Sequence, residues 1–211
     1  MNFSLEAFKS KLIEAQPLKI HLKTIERLYQ FYELLIQWNK IHNLTGPLSF
    51  ESIVYRHCIE CLALSELIDA ECIYDLGSGA GLPGIPLAMY LPNKKFFLVE
   101  SRQKRVQFMR TALLNLKIDN VEIFHGRIEE LKQRENHISF LARALAKPQE
   151  VIRLVSDIFK IGDQLIIPSQ KKLDTETLEI NKSCYKVVVR EFSKELKLNT
   201  AALLIARQQL Q

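Results

Sequence analysis

Apolar residues along the 211-residue chain follow two rhythms. In the first third they recur every three or four positions, at Leu22, Ile25, Tyr29, Tyr32, Leu35 and Ile36, with Lys23, Glu26, Arg27, Gln30 and Glu33 between them. That spacing places the apolar side chains on one face of a helix, predicted to end near Trp38. A turn-rich run from Asn39 to Pro47 follows, and a second helix is predicted from near Ser49 to Ile68. From Cys72 onward short apolar runs alternate with amphipathic stretches. The runs predict strands near 72–76, 95–100, 121–125, 137–142, 163–168, 184–192 and 200–206. Helices are predicted between them near 84–91, 103–117, 127–134, 148–160 and 171–180. Strands that alternate with helices need crossover connections, hence a parallel sheet covered on both faces. Only the short polar stretch Ser193 to Asn199 joins the last two strands, so these pair as an antiparallel hairpin at the end of the sheet. The pattern predicts an α/β protein with a seven-stranded sheet over residues 71–211 and a helical extension over residues 1–70.

The junction after the first of these strands carries the most chemistry. Ile73-Tyr74-Asp75-Leu76-Gly77-Ser78-Gly79-Ala80-Gly81-Leu82-Pro83-Gly84 is an apolar strand that ends in a carboxylate and breaks into glycines before a new apolar segment. Glycine permits tight turns and close approach of a ligand, and proline is pre-set for a first helical turn. Such a loop at the carboxyl end of a strand is a cradle for a nucleotide-like group, the bland alternative being a mere tight turn. A dinucleotide fingerprint would place its third glycine where Leu82 stands, and no Gly-Lys-Ser/Thr phosphate loop follows. The D-x-G-x-G-x-G pattern instead resembles the first motif of class I S-adenosylmethionine-dependent methyltransferases, whose Rossmann-like seven-stranded sheet the strand pattern also resembles. The next strand ends at Glu100, about 20 residues on, where a carboxylate can accept hydrogen bonds from both ribose hydroxyls of an adenosine. NAD enzymes share that feature, and a helix-start carboxylate is the plain reading.

Composition narrows the partners. The chain is 47% hydrophobic and 25% charged, as ordinary globular proteins are, and its net charge of +5 leans towards a polyanionic partner. No apolar run approaches a membrane span and the N-terminus lacks a signal-peptide pattern, so a cytoplasmic, non-membrane protein is expected. Cys58 and Cys61 form one C-x-x-C on a helix face beside His57, with no second pair at zinc-finger spacing, and no metal site is expected. Cys72 and Cys184 read as buried thiols in strands. A methyl acceptor can be narrowed by absences. The loop after the fourth strand, Ala142-Arg143-Ala144-Leu145-Ala146-Lys147-Pro148, lacks the Asn/Asp-Pro-Pro-aromatic pattern used on exocyclic amines. No cysteine adjoins a proline, as a C5-pyrimidine mechanism would want. What remains is an acceptor already nucleophilic at neutral pH, such as a ring nitrogen; guanine N7 is one.

The chain further resembles the RsmG (GidB) family. The resemblance rests on Trp38-Asn39-Lys40-x-x-Asn43-Leu44-Thr45, Arg56-His57, the run from Asp75 to Leu87, Lys104-Arg105-Val106-x-Phe108-Met109, Gly126 to Glu130, and Arg143-Ala144, in the family's order. It implies methyl transfer from S-adenosyl-L-methionine to N7 of a guanosine in small-subunit ribosomal RNA; nothing in the sequence demands more than a monomer. By position it implies that Gly77, Gly79, Leu82, Glu100, Ile128 and Glu129 hold the cofactor. Arg143, the catalytic candidate, would face the methionine end and the incoming guanine, the plain alternative being a surface ion pair. Arg56, His57, Arg105 and Lys171 are the candidate RNA contacts. The chain departs from the family pattern at Glu60-Cys61, where Asp-Ser is usual, and at Pro168-Ser169, where a Lys-Gly is expected. Two other readings stand beside this one: a methyltransferase of a small molecule or protein, and a non-catalytic RNA-binding relic.

Overall fold

The computed structural model describes residues 3–15, 18–132, 137–169, 180–181, 183–192 and 200–208. The predicted 171–180 helix, Lys171 with it, and the 193–199 connection lie outside the described residues. Helices α1 (Leu5–Glu14) and α2 (Leu22–His42) open the chain. A π-helical segment, Ser52–Ile59, then runs into the one-turn α3 (Glu60–Ala63). After these come β1 (Cys72–Leu76), α4 (Gly84–Tyr90), β2 (Lys95–Glu100), α5 (Gln103–Leu116) and β3 (Val121–His125). The chain continues through β4 (Ile138–Leu141), α6 (Pro148–Val155), β5 (Gln164–Ser169), β6 (Tyr185–Phe192) and β7 (Thr200–Arg207).

The strands form one sheet in the order β3-β2-β1-β4-β5-β7-β6. β1 to β5 run parallel, and β7 lies antiparallel between β5 and β6. Side chains alternate across each strand, so successive residues serve opposite faces. Ile73, Phe96 and Leu98 join one cluster with Phe8, Tyr32 and Phe108 from the helices. Tyr74, Val99 and Phe140 join the other, with Val151 and Phe159. Phe108 of α5 meets Phe31 and Trp38 of α2, at ring separations of 6.0 and 5.7 Å, which packs the N-terminal helices onto the sheet's own helices.

Several element boundaries differ from expectation. α2 passes Trp38 and ends at His42, where Asn43 takes a left-handed φ of 46° and stops it. Asn39, read as a turn former, sits inside the helix; its side chain reaches forward, accepting from Thr45 N at 2.8 Å and donating to the Gly46 carbonyl at 3.2 Å. Residues 133 and 134 of the predicted 127–134 helix lie outside the described residues; the described part forms a single 3-10 turn, Ile128–Glu130, whose own Glu130 carboxylate accepts from Arg127 N at 3.1 Å. The predicted 148–160 helix ends at Val155. Cys184 lies in the turn before β6, and both it and Cys72 are half-buried.

Candidate functional site

The strand order reverses between β1 and β4, and in open α/β sheets the crevice outside the carboxyl ends at such a point receives ligands. The glycine loop stands there. Gly77, Gly79 and Gly81 all hold left-handed φ values, 67°, 60° and 75°. A Cβ on Gly77 would lie 2.6 Å from Leu145 Cδ1, and one on Gly81 2.4 Å from Ile85 Cδ1, so those side-chain ends would have to shift, and the left-handed φ disfavours any side chain besides. Beneath the loop Asp75 is buried at 1% exposure and accepts from Gly84 N at 3.0 Å, tying β1 to the start of α4. Burial pushes its carboxyl up to about 7, against the opposing pulls of Gly84 N–H, Ser78 and the Arg143 charge.

Glu100 sits across from the loop, 4% exposed. Its carboxylate accepts from Gly79 N at 2.9 Å, from Arg102 N at 2.8 Å and from the Arg105 guanidinium at 3.4 Å. Gly77, Glu100, Arg105, Ile128, Glu129 and Leu145 contribute to the wall of one cavity of about 450 Å³. A carboxylate with three donors on about four lone-pair sites keeps room for a hydroxyl. Apolar Ile128 and Leu145 offer a slot for a flat ring, and the volume falls within the roughly 300–1,000 Å³ of small-molecule sites. The donor set fits an adenosine-bearing cofactor.

The other candidates lie elsewhere. Leu82 packs against the main core, with its N–H given to the Ser78 carbonyl at 2.9 Å. Arg143, just past β4, does not line the cavity; its guanidinium donates to Arg56 O at 2.8 Å and Cys61 Sγ at 3.0 Å. Burial pushes the Cys61 thiol up to about 11, so it is neutral. The Arg56 side chain is exposed. His57 is half-buried, and burial with the charges of Arg143 and Arg56 lowers its pKa to about 4. At neutral pH its ring is therefore uncharged, and its buried Nδ1 has no hydrogen-bond partner among the described residues. Arg105, expected at the RNA surface, stands beside Glu100 on the cavity wall. Among the described residues no cluster of His, Cys, Asp and Glu could hold a metal, and no helix is long and apolar enough to cross a membrane.

Leu145 and the Arg56 carbonyl went unseen in the sequence. A leucine and a backbone oxygen carry no chemical signature, and only the fold brings them to the loop and to Arg143.

A parallel sheet with one inserted antiparallel strand, preceded by helices and bearing a glycine loop at its switch point, defines the class I methyltransferase fold. Solved structures agree at the level of fold. A mutant of MtNAS in complex with S-adenosylmethionine gives a TM-score of 0.53 at 16% identity, over 97% of this chain and 73% of that one. A SAM dependent methyltransferase from Aquifex aeolicus gives 0.50 at 16% identity, over 76% and 99%. Within that class, residues 24–204 match the family described as rRNA small subunit methyltransferase G. The ribosomal RNA small subunit methyltransferase G of Vibrio vulnificus is 35% identical over 156 residues, 74% of each chain. Its counterpart in Psychromonas ingrahamii is 36% identical over 142 residues, 67% of this chain and 69% of that one. This chain belongs to the rRNA small subunit methyltransferase G family.

Proposed function

We propose that the protein transfers a methyl group from S-adenosylmethionine to N7 of a guanosine in small-subunit ribosomal RNA. Family membership supports the RNA half of this reading. The observation that carries the cofactor half is the clasp between Gly79 N and the Glu100 carboxylate, 2.9 Å across, at the switch-point cavity. Glu100 would take a ribose hydroxyl on its remaining acceptor site, Ile128 and Glu129 would border the adenine, and the backbone at Gly77 and Gly79 would admit the cofactor closely. Leu82 acts behind the loop, through the core against which it packs. When bound, S-adenosylmethionine supplies a methyl on cationic sulfur; the N7 lone pair bonds to it as the C–S pair returns to sulfur, leaving S-adenosylhomocysteine and a cationic 7-methylguanine.

That chemistry requires no general base, so the protein's task is alignment, which can contribute roughly 7–11 kcal/mol to lowering a barrier. Arg143 is the residue for it. Just past β4, its guanidinium is held by Arg56 O and Cys61 Sγ of the N-terminal helices, which supports this role. Arg56, with Lys171, would neutralise phosphates, while Arg105 is engaged by Glu100 on the cavity wall, and His57 would meet the RNA as an uncharged ring. The reading takes the enzyme as a monomer, and a ribosomal RNA substrate supports a cytoplasmic location. Residues 1–70 then serve as an RNA-facing extension of the methyltransferase domain 71–211.

The test is incubation with methyl-labelled S-adenosylmethionine and unmethylated small-subunit RNA. Label should enter a single guanine and be released as 7-methylguanine; label confined to protein or small molecules would reject the assignment. Arg143→Ala should lower kcat about 100-fold while the melting temperature holds within a few degrees. Loss of activity only through unfolding would reduce Arg143 to a structural tie between the end of β4 and the N-terminal helices.

A further inference from the structure

The π-helical segment Ser52–Ile59 has no role in the reading above beyond carrying Arg56 and His57. π-turns interrupt the ordinary helical bond pattern and recur at functional sites. Here two successive carbonyls accept side-chain donors: Arg56 O from Arg143 at 2.8 Å, and His57 O from the buried Tyr32 hydroxyl. One turn on, Cys61 is 1% exposed and its sulfur lies 3.0 Å from the other terminal nitrogen of the same guanidinium. A two-pronged grip fixes the plane of a guanidinium, as a single contact cannot. Tyr32, with no exposed surface, anchors the turn from α2.

We propose that Cys61 is a positioning residue: with the Arg56 carbonyl it orients the Arg143 guanidinium for methyl transfer, making the N-terminal extension part of the catalytic apparatus. The inference rests on the role given to Arg143 above. Cys61 itself touches neither cofactor nor guanine. Because a neutral thiol here serves as an acceptor, a serine hydroxyl can replace it, whereas a methyl group cannot.

The test compares steady-state kinetics and melting temperature for Cys61→Ala, Cys61→Ser, Cys58→Ala and Arg143→Lys. Cys58 is equally buried in the same turn, with Tyr32 rather than Arg143 as its neighbour, and so controls for lost packing. Cys61→Ala should lower kcat about tenfold with the KM for S-adenosylmethionine nearly unchanged, and Cys61→Ser should recover most of it. Cys58→Ala should cost similar thermal stability without that fall in kcat. Arg143→Lys, whose compact ammonium cannot span both acceptors, should resemble Cys61→Ala and covers the case in which Cys61→Ala fails to fold. Wild-type kcat in Cys61→Ala or in Arg143→Lys overturns the proposal. So does an equal fall in Cys58→Ala, or failure of serine to restore turnover. Full turnover in Arg143→Ala would sink the role of Arg143 itself, an outcome distinct from normal turnover in Cys61→Ala alone.

Discussion

Gly77 lies close beneath the tip of Leu145, which brings the end of the first strand against the loop after the fourth. A Cβ at position 77 would stand 2.6 Å from Leu145 Cδ1, on a backbone whose φ of 67° disfavours any L side chain. Gly77→Val should therefore cost about 1–3 kcal/mol in stability yet still fold, while weakening S-adenosylhomocysteine binding more than tenfold. Urea unfolding and calorimetric titration measure the two effects, and unchanged affinity would contradict the cradle. The three glycines were legible in the sequence as a cradle because their spacing follows from backbone geometry alone. Leu145 was not legible, since its place above Gly77 depends on how β4 lies beside β1.

At the scale of elements, Asn39 explains part of the Trp38 to Thr45 motif. It is a helical residue whose amide caps the loop that follows, with bonds of 2.8 Å to Thr45 N and 3.2 Å to Gly46 O. Asn39→Ala should lower stability by about 1–2 kcal/mol, with Asn39→Asp, which keeps the acceptor and loses the donor, falling between. Chemical denaturation followed by the fluorescence of Trp38 reads both; equal stability in all three proteins would remove Asn39 from this role. The boundary of α2 was misplaced because Asn39 and Asn43 have the same local propensity. Only Asn43 takes the left-handed conformation that ends the helix, its backbone N–H closing on the Asn39 carbonyl. Of the helix expected at 127–134, the described residues keep only one turn: the Glu130 carboxylate caps its start at Arg127 N, but Leu131 is already extended and ends it.

Across the whole molecule two shifted groups bring opposite pH dependences. Asp75 rises from 3.8 to about 7 on folding, so the folded state holds the extra proton and stability falls as pH climbs through that window. His57 drops from 6.5 to about 4, so the folded state holds fewer protons and stability is lost as pH falls through its window. Between pH 4 and 6.5 the two slopes oppose and nearly cancel. Relative to the unaltered protein, Asp75→Asn should lose up to about 3 kcal/mol on going from pH 6.5 to 4, at roughly 1.36 kcal/mol per unit of His57 shift. His57→Gln should show the reverse, gaining stability on acidification. Urea midpoints at half-unit pH steps decide this; parallel profiles for all three proteins would show that neither group is coupled to folding.

The seven strands, their β1-to-β5 crossovers and the closing hairpin were determined by the chain itself, because apolar periodicity and connection length are local and restrict the topology to a few choices. The loop chemistry at Gly77 to Gly81 and the carboxylate at Glu100 were determined in the same way, by spacing within one crossover unit. Which donors and acceptors actually meet was decided only in three dimensions. Arg143 turns to Cys61 and Arg56 across 82 and 87 residues of sequence, and Arg105 turns to Glu100 rather than outward. Long-range pairing depends on how packed layers bring distant side chains into reach, and nothing in the type of an arginine or a cysteine specifies its partner.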